Sequence, residues 1–153
     1  MPATFSSLRY RDFRLLLFSG VFSSAAQWIQ QITVGWLIYQ LTESAFLLGL
    51  SASLRVIPAL FLGPLAGVAA DRLDRKTLLL TTEACLAVLA ALFAVAVAAG
   101  SVNVWHVLVF MFLSGVGTSI NHIVRHSMVP NLVPRQELMN AISLHASVFN
   151  FTR

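Results

Sequence analysis

The sequence predicts an all-α, multi-pass membrane protein, and three observations carry that reading. Of its 153 residues, 58% are hydrophobic and only 10% charged, with a mean hydropathy of +0.80, whereas soluble domains carry roughly a quarter charged residues. The apolar residues gather into runs of about 20, the length that crosses a bilayer. The basic residues fall in alternate gaps between those runs, the pattern that sets orientation in a membrane. A net charge of +4 and a pI near 10.2 do not make this a nucleic-acid partner, because that needs Lys and Arg clustered on one face of a soluble fold.

Taken in order, the apolar runs predict spans at Leu15 to Tyr39, Ala45 to Ala69, Leu78 to Ala99 and Trp105 to Val124, with a fifth beginning near Leu138. Leu138 to Arg153 would form about 24 Å of helix, short of a hydrocarbon core about 30 Å thick. The chain therefore reads as the N-terminal part of a longer protein, cut within helix five. A signal peptide is the rival for the first run, with Arg9, Arg11 and Arg14 ahead of Leu15 to Phe22. The run resumes at Ile32 and reaches spanning length, which favours an uncleaved helix.

Arg9, Arg11 and Arg14 precede span one, Arg72, Arg75 and Lys76 join spans two and three, and Arg125 and Arg135 join four and five. The opposite turns, near Glu43 and Ser101, carry no Lys or Arg. This places the N-terminus in the cytoplasm. The single Cys85 lies in an apolar run and is expected to pack there as an inert thiol.

One cytoplasmic turn exceeds what topology needs. GVAADRLDRK, residues 67–76, adds Asp71 and Asp74 to its basic residues, and acids contribute little to orientation. Ala59, Gly63 and Gly67 recur every four residues and Asp71 continues the stripe, so a neighbouring helix can approach closely and meet Asp71 with its positive N-terminus.

These residues resemble a known family. Gly67, Asp71, Arg72, Arg75 and Lys76 match the G-x-x-x-D-R-x-G-R-K motif of the major facilitator superfamily, which likewise lies between its second and third helices; Asp74 stands where the motif has its second glycine. WLIYQLTESA at 36–45, RVIPALFLGPLAG at 55–67 and VPNLVPRQELMNAISLHASVFN at 129–150 are similar to the branch that contains siderophore and macrolide exporters. The resemblance implies the first four to five helices of a twelve-helix fold, in which inverted three-helix repeats occupy about 13–100 and, in part, about 104–153. It also implies that the five motif residues form a cytoplasmic gate between the two halves of a transporter. A short internal echo agrees with the repeats: LFSGVFSS at 17–24 matches FLSGVGTS at 112–119.

Several polar residues stand inside the spans. Gln27, Gln30 and Gln31 share a face of span one, and amides in hydrocarbon need partners, so that face looks towards other helices or a water-filled cavity. Interhelical hydrogen bonding and substrate contact both account for it. Asn121, His122, Arg125 and His126 form a second patch, read as a cavity mouth or an interface; His122 and His126 lack a third ligand, and no metal is expected. Arg55 is expected to border the cavity in the outer half of the bilayer and attract an anionic or hydrogen-bond-accepting group. Glu83, about two turns inside span three, either pairs with a loop arginine or carries a proton. His106 is expected at the membrane interface.

No Walker loop, catalytic triad or zinc signature is present, so neither an enzyme nor a cofactor is expected. Proton coupling finds no support at helix four, where Met111 occupies the position at which the superfamily's proton-coupled antiporters often carry Arg. The expected function is secondary active transport of a small organic molecule, siderophore-like or drug-like, outward across the cell membrane by alternating access. Its partners are the substrate, the bilayer and the remaining C-terminal part. A non-transporting membrane scaffold or assembly factor and an importer of a small metabolite are the alternatives.

Overall fold

The computed structural model describes residues 7–72 and 74–151, with backbone alone at 63–72, 135, 145 and 148–151, and the described residues form five α-helices. The helices are α1 (Arg11–Thr42), α2 (Ala45–Arg72), α3 (Arg75–Ala98), α4 (Val104–Leu132) and α5 (Leu138–Phe151). No strand occurs among the described residues.

Polar residues in the turns set the helix ends. Thr42 closes α1 by donating its hydroxyl to the Ile38 carbonyl at 2.7 Å, and Glu43 then takes a left-handed backbone with φ of 49°. Ser44 opens α2, its Oγ accepting from the Leu47 amide at 3.4 Å. At the end of α3, Gly100 adopts φ of 66°; its amide donates to Val97 and that of Ser101 to Ala96. This Schellman arrangement satisfies the last carbonyls and calls for a residue without a Cβ. Asn103 and His106 cap α4 reciprocally: Asn103 Oδ1 accepts from the His106 amide at 3.2 Å, and His106 Nδ1 accepts from the Asn103 amide at 3.3 Å. The interfacial histidine expected from the sequence is thus exposed and also holds the start of a helix.

Among the described residues, three segments are long and apolar enough to cross a membrane: Ala45–Leu62, Arg75–Ala98 and Val104–Leu132. At 32 residues α1 has the length, but not the apolar content, because Gln27, Gln30, Gln31 and several serines interrupt it. Helix α4 runs beyond its expected end at Val124 through Pro130 to Leu132. The expected boundary followed hydropathy, which falls at His122 to His126, whereas backbone hydrogen bonding continues regardless of side-chain polarity.

By compactness the chain divides into residues 1–32 with 125–153, and residues 33–124. The larger unit has an apolar core of Val34, Ile38, Val107, Leu108, Phe110 and Met111. Phe93 stacks on Phe110 with ring centroids 4.0 Å apart and planes 10° from parallel. The smaller unit buries Phe13, Leu16, Leu17, Val129, Val133 and Ala141. Cys85 is exposed, contrary to its expected packed position, on a face of α3 whose neighbours Ala84, Ala87 and Val88 are exposed as well.

Candidate functional site

The polar residues that the sequence places inside the spans fall in both units. In residues 33–124, Asn121 on α4 is 2% exposed and donates through Nδ2 to Oε1 of Glu83 on α3 at 3.0 Å. A carboxyl inside an apolar helix thus has a named partner on the adjacent helix, the Asn121 amide, beside the loop arginine or proton-carrying role that the sequence allows. His122 is half-buried beside it.

Arg55 on α2 is half-buried, and its backbone lies hard against Gly115 of α4. A Cβ added at Gly115 would lie 2.9 Å from both the Cα and the carbonyl carbon of Arg55, and against its carbonyl oxygen. Only glycine permits that approach. Two residues on, a Cβ at Gly117 would lie 2.6 Å from Leu86 Cδ2, an obstacle made of side chain rather than backbone. Next to Gly115, Ser114, Thr118 and Ser119 are buried, and the hydroxyls of Thr118 and Ser119 donate to carbonyls one turn back at 2.7–3.1 Å. Hydroxyls satisfied in this way let polar residues sit in an apolar helix.

In the smaller unit, Arg125 on α4 is 5% exposed. Its Nη1 donates to the Leu16 carbonyl at 3.1 Å and to Ser19 Oγ at 2.8 Å, and Nη2 donates to Ser23 Oγ at 3.2 Å. Gly20 lies alongside, where an added Cβ would be 3.5 Å from Nη1. Gln27 and Gln30 of the same unit are half-buried and Gln31 is exposed; each has polar interactions of its own. The two copies of the internal echo therefore share a feature: Gly20 lies beside the guanidinium of Arg125, and Gly115 beside the backbone of Arg55.

Of the expected gate motif, Gly67 is described by its backbone alone and the side chains of Asp71 and Arg72 lie outside the described residues, whereas Arg75 is half-buried and Lys76 exposed at the start of α3. Asp74, the residue that departs from the motif, is the N-cap of α3: its carboxylate accepts from the Thr77 hydroxyl at 2.6 Å and the Thr77 amide at 2.9 Å. Those two bonds, the hydroxyl first, hold its carboxyl below the ordinary value of 3.8. The signal was present in the sequence as Asp followed three residues later by Thr, just before an apolar run. No group of three metal-ligating side chains occurs among the described residues.

Apolar spans with buried, mutually bonded polar groups define a polytopic helical membrane protein whose interior is polar in patches. The chain belongs to the transmembrane secretion effector family of the major facilitator superfamily, whose model matches residues 2–153. It is 26% identical over 110 residues to macrolide efflux protein A of Streptococcus pyogenes, covering 72% of this chain and 27% of that protein. It is 27% identical over 127 residues to the staphyloferrin A transporter of Staphylococcus aureus, covering 82% of this chain and 32% of that one. An uncharacterized MFS-type transporter of Bacillus subtilis is 27% identical over 141 residues, covering 90% of this chain and 32% of its own. The chain thus spans between 27% and 32% of the length of these relatives. No solved structure matches it. Family and relatives are transporters, not enzymes.

Proposed function

We propose that the chain forms the first helices of a secondary active transporter that moves a small organic molecule out of the cell by alternating access. The observation that carries this reading is the family match over residues 2–153. Relatives named for macrolide efflux and for staphyloferrin A transport support this reading. In this reading the protein lies in the cell membrane with a cytoplasmic N-terminus, and residues 13–100 and 104–153 belong to two inverted repeats.

Gln27, Gln30, Gln31, Arg55 and His122 border the substrate cavity, where a half-buried arginine draws an anionic or hydrogen-bond-accepting group. Gly67, Asp71, Arg72, Arg75 and Lys76 form a gate on the cytoplasmic side. Asp71→Asn then biases a conformational equilibrium without changing the fold.

The test uses the full-length protein in efflux-deficient cells, with a radiolabelled macrolide and radiolabelled staphyloferrin A as probes. Wild type should lower accumulation of at least one probe, and Asp71→Asn should abolish the difference at equal membrane abundance. Unchanged accumulation of both probes with wild type would sink the export reading, and full activity in Asp71→Asn would reduce the motif to a topology anchor.

A further inference from the structure

Three acceptors of Arg125 come from one face of one helix. Leu16, Ser19 and Ser23 stand at i, i+3 and i+7 of α1, so the guanidinium lies along two turns. Ser19 donates its own hydroxyl proton to the Leu16 carbonyl at 3.0 Å, which leaves the Oγ lone pairs for Nη1. Gly20 lies beside the guanidinium: its added Cβ would reach ordinary van der Waals distance from Nη1, 3.5 Å. The same unit buries Phe13, Leu16 and Leu17 on α1 and Val129 on α4.

A planar fork with parallel donors suits this site, and an ammonium does not, because a single tetrahedral head cannot bridge acceptors spread along two turns. At 5% exposure the side chain has little freedom to leave. A substrate contact would need its donors directed into a cavity, whereas the three bonds described here run to the wall of a neighbouring helix.

We propose that Arg125 is a positioning residue for transport: its guanidinium locks the 16–23 segment of α1 to the end of α4, so that the two segments move as one body during the cycle. This rests on the transport reading above, since only in a moving protein does the rigidity of one helix pair set a rate. Alternating access by rigid-body rocking requires that displacement of one helix be passed to the next without slack. Arg125, Ser19 and Ser23 then control the maximal rate and leave substrate affinity alone.

The experiment uses full-length protein in liposomes with two readouts. The first is uptake of the radiolabelled macrolide, resolved into maximal rate and half-saturating concentration. The second is amide hydrogen exchange over residues 16–23, which needs no substrate. Arg125→Gln and the double variant Ser19→Ala/Ser23→Ala should each lower the maximal rate by about tenfold or more, as small misplacements of a working element do, with half-saturation within about twofold. Both should speed exchange in that segment, and Arg125→Lys should fall between them and wild type. Half-saturation rising in step with the loss of rate in Arg125→Gln would make Arg125 a substrate contact and overturn the proposal. If Arg125→Gln fails to accumulate in the membrane, the serine pair decides; wild-type rate and exchange in that variant also overturn it. Wild-type protein that does not carry the macrolide is assayed with staphyloferrin A instead; carriage of neither probe counts against the transport reading, and the exchange readout still judges the clamp.

Discussion

Residues 33–124 are packed around Val34, Ile38, Val107, Phe110 and Met111 with α2 drawn against Gly115, whereas residues 1–32 with 125–153 bury a guanidinium against a helix wall. Lipid tails are as apolar as leucine, so burial of apolar surface does not by itself drive helices together in a bilayer. The first region therefore depends on close fit and the second on directed hydrogen bonds. A loss of volume or an added methyl should injure the first, and removal of a donor or acceptor the second.

The sharpest way to break this contrast is at Gly115. Gly115→Ala sets a methyl against the Arg55 backbone, which cannot rotate away, and should cost about 3 kcal/mol, the upper end for overpacking. Gly117→Ala meets the Leu86 side chain, at Cδ2 and Cγ, rather than backbone and should cost about 1 kcal/mol, largely relieved by Leu86→Ala. Unfolding of the full-length protein by SDS titration measures both, and equal costs would show that α2 does not depend on this contact.

Next in size is Met111→Ala in the core, where Met111 is 2% exposed. Truncation should cost about 2 kcal/mol, the low end for such changes, because lipid removes the transfer contribution and leaves the lost packing. The same titration reads it, and a cost near zero would mean that fit matters no more here than in the other region.

The smallest effect concerns a polar contact in water rather than in lipid. Asp74 is fully exposed and its carboxyl is held below 3.8 by the bonds from Thr77. Because the folded-state value is lowered, the cap is complete above the ordinary value and is lost as pH falls through the folded-state one. Protection of the Thr77 amide against exchange should fall in wild type as pH drops below the ordinary carboxyl value of 3.8, and remain flat in Asp74→Asn, whose amide oxygen still caps. A wild-type response as flat as that of the variant would remove the cap from the account of α3.

Much of the fold was legible because membrane helices announce themselves by length: the starts of α2 and α4 fall within a residue of the expected ones. The end of α4 was missed because hydropathy marks where side chains become polar, not where the backbone stops. The candidate residues were legible as a class, since polar side chains stand out in apolar runs. Their pairings were not, because Asn121 meets Glu83 across 38 positions and Arg125 meets Ser19 across 106, and such contacts follow from helix packing that no local spacing encodes. Asp74 could have been read as a cap; the motif comparison drew notice to the glycine it replaces and away from Thr77.

The turn between α1 and α2 has a consequence for how the protein reaches the membrane at all. Only Glu43 and Ser44 separate Thr42 from Ala45, and α1 lacks the apolar content that α2 has. A helix rich in glutamine partitions poorly into hydrocarbon on its own. Tethered through two residues to a strongly apolar neighbour, it cannot equilibrate with the bilayer separately, and the favourable partitioning of α2 offsets what the amides of α1 cost.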